Sequence, residues 1–293
     1  MPSDLPLLTR TCGAPSPKIA VRERVTLALV AAGLRLSACT GDATSLPPTP
    51  PAGDTAVVTN PLAGTGNALA GAVLWVNPSS AARATADAWR ITRAADAALM
   101  DEVALGATAQ WVGAWMTDVR ADVDAATTKI TNAGALPVFV SYNIPQRDCG
   151  ALPAGSPASA YRDWIAAFAS GIGTRRAAVI LEPDALAGME CLSSAVQQLR
   201  LDLLKFAVQT FASRSNIVVY LDAGHPGWKS AAVMASRLTS AGVAATQGFA
   251  LNVSNFQLTS DNVSYGTQLS SLVGGKALHH RHQPKRPRAG RRR

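Results

Sequence analysis

Several features that would fix a protein's class at a glance are scarce in this sequence. No apolar run reaches the roughly 18 residues needed to span a bilayer, which excludes an integral membrane protein. Cysteine occurs only four times. Neither Cys149 nor Cys191 has a second Cys or His at ligand spacing, so a zinc-type site is not expected. Aromatic residues are 5% of the chain and charged residues 16%. The apparent abundance of base, a net charge of +8, is an end effect. Eight Lys/Arg and no acid lie between Lys276 and Arg293, and residues 1–38 carry five bases against two acids. Residues 39–275 are left with fourteen bases against seventeen acids, so the body is mildly acidic and a nucleic-acid partner is not expected. At 293 residues the chain is long enough for one large domain or two small ones.

The amino terminus has the make-up of a targeting segment. Arg22 and Arg24 precede the apolar stretch Val25–Leu34, and small residues follow in Leu36-Ser37-Ala38-Cys39. Residues 1–38 are expected to be a signal peptide. The Leu-Ser-Ala-Cys tetrapeptide is similar to a bacterial lipobox, which would make Cys39 a lipidation site and the chain's one link to a membrane. Residues 39–66, rich in Pro, Thr, Gly and Ala, read as a flexible spacer. Export removes Cys12 and places Cys39 at the cut, so Cys149 and Cys191 remain as an even pair, either one disulfide or two buried thiols.

From about residue 67 the chain alternates short β-rich runs with helical stretches. Leu74–Val76, Leu136–Tyr142, Ala177–Leu181, Ile217–Leu221 and Gly248–Val253 are near-continuous apolar runs of the kind buried on both faces of a parallel sheet. Helices are expected over Thr85–Met100, Val119–Ala133, Ala158–Ile172, Ser193–Ala212 and Lys229–Ala241. Strand starts recur every 30–40 residues or so, the rhythm of βαβ units, so an α/β domain follows, either barrel or doubly wound.

Acids stand after each of the three best strands: Asp148, then Glu182 and Asp184, then Asp222. In parallel α/β folds the carboxyl ends of strands line the site, so these four are expected to converge. Clustered carboxylates without a His/Cys set suit proton transfer, because mutual repulsion and desolvation raise one pKa until it can donate at neutral pH. Six tryptophans, among them Trp75, Trp111 and Trp228, expected in strand-end loops, suit stacking on sugar faces.

These residues carry a resemblance. Tyr142-Asn-Ile-Pro-Gln-Arg-Asp-Cys-Gly150 and Val179-Ile-Leu-Glu-Pro-Asp-Ala-Leu-Ala187 are similar to the two signatures of glycoside hydrolase family 6, the inverting cellulases. The likeness continues through Tyr220-Leu-Asp-Ala-Gly-His-Pro-Gly-Trp228 and Gly248-Phe-Ala-Leu-Asn-Val-Ser-Asn255, covering roughly residues 70–275. It implies a distorted parallel β/α barrel, seven-stranded in the family and here incomplete at its C-terminal end, over residues 67–275, acting as a monomer on a β-1,4-glucan without a cofactor or metal. By position, Asp184 matches the general acid and Asp148 the carboxylate that holds the acid's pKa up. Tyr142 matches the tyrosine crowding the distorted sugar, and Asp222 a supporting carboxylate. Trp111 and Trp228 match sugar platforms, with Trp75, His225, Asn252 and Asn255 as further binding candidates. Cys149 and Cys191 match the family's first disulfide. The closeness of the motifs leaves little sequence for tunnel-forming loops, which points to internal cleavage.

Two departures bear on activity. Ala154 stands where the family has a serine that helps hold the attacking water, and Ser156 is the nearest hydroxyl. Residues 276–293 form a basic tail where the family continues with further strands and a candidate base. Codons exist for Ala277–Arg286 that, read one base later, give HFIIDTSRNG, which is similar to the family's continuation. A frameshift is therefore expected there, the alternative being a genuine polybasic tail for an anionic cell surface, together with little or no activity for the chain as it stands. The alternatives are a non-catalytic carbohydrate-binding protein and a non-functional fragment.

Overall fold

The computed structural model describes residues 68–150 and 157–280. The signal segment, the spacer, Cys39, Ala154, Ser156 and the tail beyond His280 lie outside the described residues. In chain order the elements are α1 (Ala81–Trp89), α2 (Ala94–Ala104), β1 (Gln110–Gly113), α3 (Val119–Asn132), β2 (Val138–Tyr142), α4 (Ala158–Ile172), β3 (Ala177–Leu181), α5 (Ser194–Ala212), β4 (Ile217–Asp222), α6 (Ala231–Ser240), β5 (Gly248–Leu251), α7 (Thr259–Leu272) and β6 (Ala277–His280).

The six strands form one parallel sheet in the order β1-β2-β3-β4-β5-β6. Strictly sequential winding is that of a β/α barrel. A doubly wound sheet reverses direction partway, so the strand order decides between the two expected architectures. Among the described residues β1 and β6 do not pair, so the sheet is an open arc of a barrel. Alternation along the strands divides two apolar layers. Phe139, Val179, Leu181, Val219, Leu221 and Phe249 face the helices, and the smaller inner layer holds Val140, Ala178, Ile180, Val218, Tyr220 and Ala250. β3 and β4 are buried along their whole length, as their unbroken apolar sequences require.

Four expectations need correction. The single helix over Thr85–Met100 is a hairpin of two, α1 and α2. Helix α1 stops at Arg90, the β-branched pair Ile91-Thr92 turns the chain, and the Arg93 N–H closes that turn on the Trp89 carbonyl (2.8 Å). Asp101 on α2 ties the hairpin by accepting from Arg83 and Arg90. The run Leu74–Val76 is no strand and makes one bridge, Leu74 to Leu136, before the turn at Asn77-Pro78. Trp111 lies within a strand, β1, rather than in a loop.

The sheet also runs past residue 275. Ala277–His280, read from the sequence as the start of a basic tail, pairs along β5 from Gly248↔Ala277 to Leu251↔His280. Leu278 is buried in the helix-facing layer against Gly266 of α7, where even a methyl group would collide with it. On the inner face the His279 ring lies 5.4 Å from that of Tyr220. One buried leucine and an open parallel edge are enough to recruit a segment whose composition is not β-like.

Candidate active site

The carboxyl ends of β1 to β5 carry the polar residues. Strand β2 delivers Tyr142 and then a loop, Asn143–Gly150, in which Gln146, Asp148 and Cys149 have φ of 53°, 53° and 57°. Non-glycine residues enter this left-handed region at a cost and stay there when their surroundings hold them. Three devices hold this loop. Glu182 accepts from the backbone N–H groups of Asn143 and Ile144, both at 2.9 Å. Arg200 donates to the carbonyls of Pro145 (3.0 Å), Gln146 (2.6 Å) and Ala185 (3.3 Å). A disulfide joins Cys149 to Cys191, with Cα atoms 5.7 Å apart. So fixed, Asp148 accepts from the Tyr142 hydroxyl at 2.6 Å, and the Arg147 guanidinium covers the Tyr142 ring at 4.7 Å. Burial and then Asp148 push the Tyr142 hydroxyl pKa up, so it stays a donor. The Trp111 indole meets the Tyr142 ring edge-on at 5.5 Å.

Strand β3 runs out into Glu182-Pro183-Asp184, with φ of 48° at Glu182 and 70° at Asp184. The backbone reversal separates the two acids. Glu182 turns into the helix-facing layer, 1% exposed, where it also accepts from Ser141 Oγ (2.6 Å) and Tyr161 Oη (3.0 Å). Asp184 faces the cleft. Its pKa is raised by burial and by the Asp148 charge, while donors from Ser254 and Asn255 and the nearby His225 pull the other way. Strand β4 ends in Asp222, 2% exposed, whose Oδ1 accepts from the backbone N–H of Asp184 (3.0 Å) and of Gly224 (2.9 Å). Burial, then the Asp184 charge, push Asp222 up to about 7. His225 Nδ1 accepts from the Gly227 N–H at 3.1 Å, and its ring packs 4.3 Å from Trp228. Burial lowers the His225 pKa against the pull of Asp184. A cavity of about 310 Å³ opens between these loops, lined by Arg147, Asp148, Pro183, Asp184, Trp228 and Lys229 among others. Chemically, the rim sets a carboxyl that holds its proton more tightly than usual beside two other carboxyls and exposed indoles.

Of the residues expected from sequence, the fold gathers Tyr142, Asp148, Asp184, Asp222, His225, Asn255, Trp111 and Trp228 at this rim. Three others stand elsewhere. Trp75 is buried at the amino-terminal end of the sheet under the Lys129 ammonium, far along the strands from the cleft. Asn252 is fully buried, and its carboxamide both donates to and accepts from the Gln257 backbone. Glu182 holds a loop and does not reach the cleft. Three residues went unrecognised. Ser254 sits on Asp184. Arg200 is a charge on the core-facing stripe of α5, in line with Leu203, Leu204 and Ala207, and that misplacement was its signal. Trp115 presents an exposed indole over Gly113, four residues after Trp111. Among the described residues no cluster of three His, Cys, Asp or Glu could hold a metal, and no helix is long and apolar enough to cross a membrane.

A sequentially wound parallel sheet with its acids and indoles at the carboxyl rim defines an α/β protein of the barrel class, with one strand-end site. The particular family follows from comparison: the model of the glycosyl hydrolases family 6 matches residues 63–281, and the chain belongs to that family. It is 40% identical over 184 residues to Endoglucanase 1 of Streptomyces halstedii, covering 61% of this chain and 57% of that protein. It is 40% identical over 192 residues to Endoglucanase A of Cellulomonas fimi, covering 64% and 42%. The chain thus spans about half the length of these relatives. The endoglucanase Cel6 of Mycobacterium tuberculosis, solved with a methyl-cellobiosyl-4-deoxy-4-thio-β-D-cellobioside, superposes with a TM-score of 0.68 at 39% identity, covering 73% of each chain. Endoglucanase Cel6B of Humicola insolens, at 23% identity and a TM-score of 0.62, shares the fold.

Proposed function

We propose that this chain carries the glucan-cleaving site of an exported endoglucanase, hydrolysing internal β-1,4-glucosidic bonds with inversion. Asp184 delivers the proton to the departing glycosidic oxygen. Its position carries the reading: a partly buried carboxyl facing the cleft, beside Asp148 and supported from behind by Asp222, its proton held more tightly than an ordinary aspartic acid's. Asp148 keeps that proton on by its charge, and Tyr142, anchored to Asp148, crowds the sugar at the cut. Trp111 and Trp228, 38% and 41% exposed, offer apolar faces for sugars on either side. Inversion uses a water on the opposite face of the ring, with the acid that protonates the leaving oxygen and the base that activates the water roughly 6.5–9.5 Å apart. Export, with cleavage or lipidation at Cys39, is supported by the Arg22/Arg24 and Val25–Leu34 pattern and accords with a disulfide.

A second reading, a glucan-binding protein without turnover, is favoured by one observation. Each carboxylate of the described rim already has a donor on it: Asp148 from Tyr142, Asp184 from Ser254 and Asp222 from two backbone amides. A donor on the charged form weakens a carboxylate as a base, although each keeps further lone pairs for a water. The experiment is reducing-end release from carboxymethyl cellulose by the full chain, with Asp184→Asn as control and binding followed by affinity electrophoresis. Release that the substitution suppresses supports hydrolysis. Retardation without release supports the binder, and neither result overturns both.

A further inference from the structure

The loop after β5 is built to place one hydroxyl. Asn252, at φ 62°, donates its own N–H to the Gly224 carbonyl (2.8 Å), and its carboxamide closes a ring with Gln257 (3.1 and 2.9 Å). The two residues of that ring fix Ser254 between them. Ser254 Oγ stands 3.1 and 3.2 Å from the two carboxylate oxygens of Asp184, and Asn255 Nδ2 donates to the same Oγ at 3.4 Å. A hydroxyl that accepts from an amide has its own hydrogen free to point at an acceptor, so the chain runs Asn255 N–H to Ser254 O–H to Asp184.

We propose that Ser254 is a positioning residue that acts through Asp184, its hydroxyl stabilising the carboxylate left behind when the Asp184 proton has gone to the glycosidic oxygen. The inference rests on the reading of Asp184 as the acid. Burial and Asp148 hold the proton on, which favours the loaded acid but makes it a reluctant donor. A hydrogen bond that strengthens as negative charge appears on Asp184 acts at the moment of transfer, where it lowers the barrier. The groups facing Asp184 are Tyr142 at the end of β2 and Asp148 in the loop after it, Asp222 at the end of β4 and His225 in the loop after it, and Ser254 and Asn255 from the loop after β5. Arg147, Arg200 and Lys229 line the same cavity. Of the uncharged ones, Ser254 is the residue in contact with both carboxylate oxygens.

The test is carboxyl 13C NMR of the full chain labelled at aspartate, with Asp148, Asp184 and Asp222 each identified by its own substitution to Asn. Ser254→Ala should move the Asp184 titration upward by roughly 0.5–1 pH unit. Asn255→Ala should move it less in the same direction, and Ser254→Thr, which keeps the hydroxyl, should restore it. Where the chain hydrolyses glucan, Ser254→Ala should carry the alkaline limb of the pH profile upward by the same amount and lower kcat with KM unchanged. An Asp184 titration that stays put or falls in a folded Ser254→Ala protein overturns the proposal, whether or not the chain hydrolyses glucan. Absence of hydrolysis with the titration shift present overturns only the catalytic reading.

Discussion

Asp222 has almost no contact with solvent, yet it holds the acid beside it through a backbone amide. Its folded pKa of about 7 lies above that of an unfolded aspartate, near 3.9, so between those values the unfolded chain has lost a proton that the folded chain retains. Stability contributed here is present at low pH and falls as pH rises toward 7, at up to about 1.4 kcal/mol per pH unit. Asp222→Asn keeps an oxygen for the two backbone donors, so denaturant titrations of this variant between pH 4 and 7 should show that slope flattened. An unchanged slope would mean Asp222 is not the group responsible. Asp184→Asn should lower hydrolysis of unactivated glucan about 10²–10⁴-fold. It should spare dinitrophenyl glycosides, whose leaving group needs no proton, and equal losses on both would remove Asp184 from the role of acid. Glu182 makes a different forecast. Glu182→Leu strands two backbone amides, a serine and a tyrosine in the core, so it should cost several kcal/mol in chemical denaturation. The acid next to the catalytic candidate is thereby expected to matter more to folding than the candidate itself.

At the level of elements, what was legible followed the strength of the local pattern. Helix α4 has the limits its apolar spacing indicates, and β3 and β4 follow their unbroken aliphatic runs. Helix α7 was not legible, because Thr259–Leu272 is rich in Ser and Thr, residues whose side chains compete for the backbone. Thr267 and Ser271 do so here, bonding the carbonyls four residues back, while Tyr265 and Leu269 pay the cost by packing inward. Strand β6 was illegible for the opposite reason: its sequence opposes a strand and the β5 edge supplies one. Leu278→Ala should therefore cost about 2–3 kcal/mol, seen in urea unfolding. Hydrogen exchange at Ala277–His280 should accelerate more than at β3, and unchanged protection would show that Leu278 does not seat the strand.

Across the described molecule the site was easier to read than its supports. Asp148, Asp184 and Asp222 announce themselves as acids after strands. Arg200 and Ser254 act through partners more than fifty residues away in sequence, as donors to Pro145 and Gln146 and to Asp184, and no local pattern encodes such a pairing. The disulfide has the same long reach. It closes 42 residues between two rim loops, worth about 4 kcal/mol by loop entropy, so reduction should lower the melting temperature and leave the β3–β4 core protected from exchange. The left-handed backbone at Asp184 has a consequence for descent. Asn and Asp are, after glycine, the residues that occupy this conformation most readily. The change that would end the proposed proton delivery, Asp184→Asn, is one that the turn accepts, and it removes a partly buried ionisable group. The variant should melt at or above the temperature of its parent and still hold glucan on its indoles. If the proposed function holds, a lineage of such proteins stands one codon from a stable glucan binder, and loss of hydrolysis need not be followed by loss of the fold.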